Sequence, residues 1–286
     1  MRHIVQPGPP PPERIQWVEA RGRAFSFTVE AGLPLLEAVR RGFTEAGFAG
    51  GVANFEGAAL GPFAYVMPAL SKTGENAAFY SETFRPAGIT RIETAAMTFG
   101  LRDRAPFFHC HALWREAEGR RGGGHILPDE TIVAEPFTAR AVGLDGAIFV
   151  AEPDPETNFK LFGPVPSPGD GARDRETRLF ALRLRPNQDL AGALEGFCRD
   201  RGLREARLHG GVGSIIGARF EDGHIVEPFA TEMLLRAGNI GPGPDGAVAA
   251  TLDAALVDYT GGLAEGRLTR GDNPILMTME IVLEAI

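Results

Sequence analysis

The chain has 286 residues, a formal net charge of −8 and a hydrophobic fraction of 44%. That is about twice the length of an ordinary domain, so two domains are expected, each with enough apolar material for its own core. The acidic balance excludes broad electrostatic capture of nucleic acid or of an anionic membrane surface. Two cysteines, Cys110 and Cys198, are too few for a disulfide framework and fit a reducing cytoplasm.

The opening residues 1–12, with Pro7-Gly8 and a run of prolines at 9–12, carry no apolar segment of the signal-peptide kind and are expected to form an extended arm. The most hydrophobic stretch, residues 52–70, is interrupted by Glu56, Pro62 and Pro68, so no bilayer-spanning segment and a soluble protein are expected. An alternating strand over residues 24–29 leads into a helix over 34–46, where Leu35, Val39 and Phe43 recur at every fourth position, Pro34 suits the first turn and Gly47 stops it.

The same order returns later. A strand over 179–184 precedes a helix capped by Asp189, with Leu190, Ala193, Leu194, Phe197 and Cys198 on one face and Gly202 at its end. Gly57-Ala58-Ala59-Leu60-Gly61 matches Gly213-Ser214-Ile215-Ile216-Gly217, again at equivalent places. These are two copies of one strand–helix–strands unit. Between them, residues 152–155 and 162–171 are rich in Pro, Gly and acidic residues and favour extended or turning backbone. The expected organisation is a domain over 13–151, a linker over 152–174 and a second domain over 175–286. Gly, Asp and Pro turns such as Glu221-Asp222-Gly223-His224 predict short antiparallel strands, hence an α+β class in which each repeat packs a mainly antiparallel sheet with a helix.

The chemistry concentrates in His109-Cys110-His111 and, beyond a short polar hairpin, Gly122-Gly123-Gly124-His125. On a strand, residues i and i+2 share a face, so His109 and His111 project together while Cys110 faces away, and His125 joins them across the hairpin. Three imidazoles suit a zinc-type ion with a further position for water or substrate. The alternative is an ordinary core strand, marked by Phe107, Phe108, Cys110 and Leu113, whose histidines are merely hydrogen-bonded. His209-Gly210-Gly211-Val212-Gly213-Ser214 lacks the Lys-Ser/Thr ending of a phosphate loop and reads as tight strand packing or a bulge. Ser214 lacks the nucleophile elbow of serine hydrolases, and His3 and His224 read as solvated.

His109-Cys110-His111, the turn at Glu118-Gly119, Gly123-Gly124-His125 and Ala134-Glu135 resemble the plants-and-prokaryotes-conserved (PPC) domain. The resemblance covers the first repeat. In the second, Leu252-Asp253-Ala254 and Gly266-Arg267-Leu268 stand where the histidines would be, so that copy is not expected to bind the same metal. The resemblance implies an antiparallel sheet packed with a helix, assembly as a homo-oligomer with a trimer favoured, and bound zinc. Plant members join the domain to an AT-hook. Here Arg21-Gly22-Arg23 is followed by Ala24 and leads into a strand, so a strand-edge role is expected. The fold is also similar, more distantly, to acetolactate decarboxylase and a group of zinc ester hydrolases. A small-molecule hydrolase or lyase with zinc on His109, His111 and His125 is therefore expected, with Glu135 and then Glu56 as proton carriers, and Glu280 serving folding or assembly. Two alternatives are a DNA-binding or transcription-associated assembly module and an oligomer with a purely structural metal.

Overall fold

The computed structural model describes residues 2–169 and 177–286. Its first half runs β1 (Ile15–Val29), α1 (Leu35–Glu45), β2 (Gly51–Phe55), and the short strands β3 (Ala59–Leu60), β4 (Tyr65–Val66), β5 (Pro68–Leu70) and β6 (Ala78–Tyr80). Then come β7 (Thr90–Arg102), β8 (Ala105–Arg115), β9 (Arg121–Ile126) and β10 (Phe137–Asp145). A hairpin of β11 (Ala147–Asp154) and β12 (Phe159–Pro166) separates this half from the second. The second consists of β13 (Thr177–Leu184), α2 (Leu190–Asp200), β14 (Ala206–Arg219), β15 (Ile225–Pro242), β16 (Val248–Asp258), β17 (Leu263–Arg267) and β18 (Ile275–Ala285).

The two halves repeat one order of six strands, to which the first half adds the short strands β3–β6. The order in the first is β9-β8-β7-β2-β10-β1, and in the second β17-β16-β15-β14-β18-β13. β1 and β13 pair antiparallel, with Ile15 opposite Leu184 and Gly22 opposite Thr177, and so join the halves into one continuous sheet. Arg21-Gly22-Arg23 lies inside β1, where Gly22 allows the closest approach: a Cβ there would sit 2.0 Å from the Gly143 carbonyl oxygen.

The α+β expectation is overturned, since 58% of the residues are in strands and 8% in helices. The helices themselves begin and end close to where their periodicity placed them. What differs is the strand content after each helix, where the glycines bend long strands instead of ending short ones. In β14, Gly210 and Gly211 have φ of 68° and 113°, and the pairing with β18 shifts register between His209 and Val212. The bulge presses on the first half, because a Cβ on Gly210 would meet Val52 at 2.7 Å.

Strand alternation then sorts the side chains into layers. On β8, Phe108, Cys110, Ala112 and Trp114 face the core under α1, shared with Leu35, Val39 and Phe43. Leu113 turns to the opposite side and packs on Val212, Leu234 and Ala255 of the second half. On β15 and β18, Met233, Leu235, Met279 and Ile281 face the core under α2. The sheet thus curls so that its halves stack face to face, with a helix outside each. Cys110 and Cys198 are both buried free thiols. No helix among the described residues is long and apolar enough to cross a membrane.

The segment expected as a linker does not run free. β11 and β12 pair along their whole length, and Val150 and Ala151 add a parallel contact to Leu101 and Arg102 of β7. The buried Asp154 carboxylate lies 3.1 Å from Arg183 and 2.8 Å from Arg185, and it accepts the Thr157 hydroxyl proton at 2.8 Å. Glu156, also buried, holds Arg14 through two hydrogen bonds of 2.8 and 2.9 Å. Residues 170–174 of the expected linker lie outside the described residues. The N-terminal arm is docked as well: Ile4 and Asn187 exchange two 3.0 Å hydrogen bonds, and Gln6 donates to the Leu276 carbonyl at 2.7 Å.

Candidate metal centre

β8 and β9 bring the three histidines together by register. His111 lies directly opposite His125 across the pair, and His109 projects from the same face of β8 two residues earlier. Each offers one nitrogen such that all three lie within 4.8 Å of one another, and His109 Nε2 is 3.1 Å from His111 Nε2. Cys110 points into the opposite core, where burial pushes its thiol far up, so no thiolate joins the cluster.

The outer nitrogens decide what the inner ones can do. His111 Nδ1 lies 2.9 Å from the Met233 carbonyl oxygen, which only accepts, so this nitrogen carries the hydrogen. His109 Nδ1 lies 3.0 Å from both carboxylate oxygens of Glu280 and donates to them. Burial, reinforced by the neighbouring His109 and His125, drives the His111 imidazole well below its ordinary pKa, so it is neutral. Two Nε2 lone pairs then meet at 3.1 Å. That approach is favourable only with a positive charge between them, a shared proton or a metal ion. Two ligand nitrogens at 2.0–2.1 Å from a tetrahedral zinc are separated by about 3.3 Å. His125 contributes a buried Nδ1 with no hydrogen-bond partner. The donor set therefore fits an imidazole-preferring divalent ion, with a carboxylate and a backbone carbonyl orienting two of the rings from outside.

Both outside groups come from the second half, which places two buried carboxylates, Glu232 and Glu280, beside the imidazoles, and the sequence reading had no place for Glu232. Glu232 on β15 is 6% exposed, with one oxygen 3.9 Å from His111 Nε2 and the other without a hydrogen-bond partner. Burial raises this carboxyl well above the ordinary glutamate value. Glu280 is fully buried on β18. The available signal was parity: Leu234 and Val282, two residues along from each, face the same buried layer, so Glu232 and Glu280 interrupt strands that are apolar on both faces.

Glu135 and Glu56 are not brought to the imidazoles. Glu135 pairs with Arg91 at 3.1 Å and Glu56 with Arg140 at 2.8 Å, all four side chains more than half exposed. Neither glutamate lines the cavities beside the histidines. One of those cavities, about 260 Å³, opens on His109 and His125 between Phe107, Phe159 and Phe162, with Arg102 and Lys160 at its exposed edge. The other, about 50 Å³, lies on the far side against His111, Ser214 and Glu232.

The sequence profile of the Plants and Prokaryotes Conserved (PCC) domain matches residues 172–286. The second half is a PCC domain. The profile thus falls on the copy without the histidines, whereas the residue-level resemblance was drawn on the first copy. The strand order found in this PCC domain is the one repeated by residues 15–145. Among solved structures, a metal-containing protein of Archaeoglobus fulgidus aligns over 50% of this chain and 94% of its own, at 18% identity and a TM-score of 0.40. A plant- and prokaryote-conserved protein of Pyrococcus horikoshii aligns over 52% of this chain and 97% of its own, at 17% identity and a TM-score of 0.41. No curated protein matches the chain.

Proposed function

We propose that this is a divalent-metal protein, with zinc held by His109, His111 and His125, and that a small molecule reaches the ion through the cavity between Phe107, Phe159 and Phe162. The observation that carries this reading is the 3.1 Å approach of two Nε2 atoms whose Nδ1 atoms are both already engaged. Zinc bound there supplies the Lewis acidity used in ester hydrolysis and carbon–carbon lyase reactions. The chain's own part is to place the donors and keep the site dry. Glu280 orients His109, the Met233 carbonyl orients His111, and the aromatic walls exclude bulk water from one side. Neither Glu135 nor Glu56 has a place in this chemistry.

Elemental analysis of tag-free protein purified without chelator or added metal tests the reading. About one zinc per chain is expected. Protein that is metal-free as purified and takes up no zinc on titration overturns it. Loaded protein is then screened against small esters and keto acids, where turnover that disappears on chelation and returns with zinc supports an enzyme.

A further inference from the structure

We propose that Glu232, supplied by the second half of the chain, is the fourth protein ligand of the metal centre, so that the site is built across the interface between the two repeats. The inference rests on the metal reading above and adds a ligand to it.

Position comes first. β15 presents Glu232 and Leu234 to the layer between the halves, and Leu234 packs there on Leu113, which shares a β8 face with His109 and His111. Glu232 therefore meets the imidazoles by the same alternation that puts Leu234 on Leu113. It lines the same small cavity as His109 and His111.

Its bonding is incomplete. Among the described residues its one ion-pair contact is His111, at 3.9 Å; the His125 backbone N–H also donates to the carboxyl, and its second oxygen has no partner. A buried carboxyl in that condition is costly as a bare anion, and a proton or a cation relieves it. The 3.9 Å separation exceeds by about 0.6 Å the spacing of about 3.3 Å between two ligand atoms on one tetrahedral ion, so ligation brings Glu232 closer to His111 Nε2 than it lies here.

Charge points the same way. Three neutral imidazoles leave a divalent ion with two positive charges. Glu232 as a ligand and Glu280 behind His109 bring two negative charges from the second half to set against them. Imidazole nitrogens with one carboxylate oxygen form an ordinary zinc set, and zinc can expand to five-coordination when a further ligand enters from the larger cavity.

The test uses the full chain, stripped of metal and titrated with Co²⁺, whose visible absorption reports its ligands, with affinity fixed by chelator competition. The wild type should show the intense bands of a four-coordinate site. Glu232→Gln should bind at least about tenfold more weakly with shifted bands, and Glu232→Asp, which keeps the carboxylate, should fall between the two in affinity with wild-type-like bands. Circular dichroism establishes that both variants are folded, and if Glu232→Gln fails to fold, the Glu232→Asp bands and affinity alone decide. Unchanged bands and affinity in Glu232→Gln, or Glu232→Asp bands that depart from wild type with no loss of affinity, overturn the ligand assignment while leaving the three-histidine site standing. A wild type that binds neither Co²⁺ nor zinc overturns the metal reading and this assignment with it.

Discussion

The two halves share one strand order, yet they do opposite things at equivalent positions. Ala112 opposite Gly124 corresponds to Ala254 opposite Gly266, and the two glycines have nearly the same φ, 153° and 150°. This register places Asp253 and Arg267 where the first half has His111 and His125, with Thr251 in place of His109. Asp253 pairs with Arg236 at 2.6 Å, and Arg236 continues through Glu265 to Arg121. The difference is cover: the His111 side chain is 4% exposed and Asp253 39%. β15 and β18 of the second half close over the histidine face, whereas on the equivalent face of the second half the stretch at Thr251 and Asp253, next to the buried Ala255, is open to water. A dry pocket suits a metal centre, and a wet one suits a network of surface ion pairs. Identical topology therefore fixes where a site can form, and the packing between copies decides whether it does.

The largest effect should come from making the first half resemble the second at this point. His111→Ala removes the central donor, and zinc measured by elemental analysis should fall from about one per chain to near zero. The PCC-domain half, whose core under α2 shares no residue with the cluster, should stay folded by near-ultraviolet circular dichroism. Unchanged metal content would remove His111 from the ligand set. Next in size is the ion cluster that ties the central hairpin to the second half. Asp154→Asn leaves Arg183, itself buried, without its carboxylate and should cost about 3–5 kcal/mol in denaturant unfolding.

The same carboxylate predicts a pH dependence. Burial alone would raise the Asp154 pKa, but Arg183, Thr157 and Arg185 outweigh it and hold the group below its ordinary range. A depressed folded-state pKa contributes stability above the unfolded value of about 4 and loses it as pH falls through the folded value. The wild-type melting temperature should accordingly fall on acidification below about pH 4. In Asp154→Asn that acid limb should be shallower, and equal slopes in the two proteins would remove Asp154 as its source.

The histidine site was legible in the sequence because it is local: two residues two apart on one strand, and a third on the next strand of a hairpin. Both helices were legible from their apolar spacing and stops. The carboxylates that complete the surroundings were not, because Glu232 lies 121 residues from His111 and Glu280 171 residues from His109, and they reach the imidazoles only through the stacking of the halves. Strand content was underestimated for a related reason. A glycine that bends a strand, as Gly210 does, has the same letter as one that ends it, and only pairing partners tell them apart. The composition of residues 152–155 and 162–171 suggested extended or turning backbone in a linker, but composition cannot report that this segment pairs as a hairpin or that Asp154 and Glu156 find arginines far along the chain.

The helices offer a smaller contrast. Asp189 caps α2, accepting from Gly192 N at 2.8 Å and from Asn273 N at 2.8 Å, whereas α1 starts behind Pro34 with no side-chain cap. Asp189→Ala should cost about 1–2 kcal/mol in denaturant unfolding, a loss specific to the second half. Glu135→Gln and Glu56→Gln should do least of all. Each breaks one exposed ion pair worth less than about 0.5 kcal/mol, and neither group lines the cavities at the imidazoles, so metal content and Co²⁺ bands should match the wild type. A changed spectrum in either variant would mean that these surface carboxylates reach the metal after all, and that the division between a histidine-bearing first half and a carboxylate-bearing second half is drawn in the wrong place.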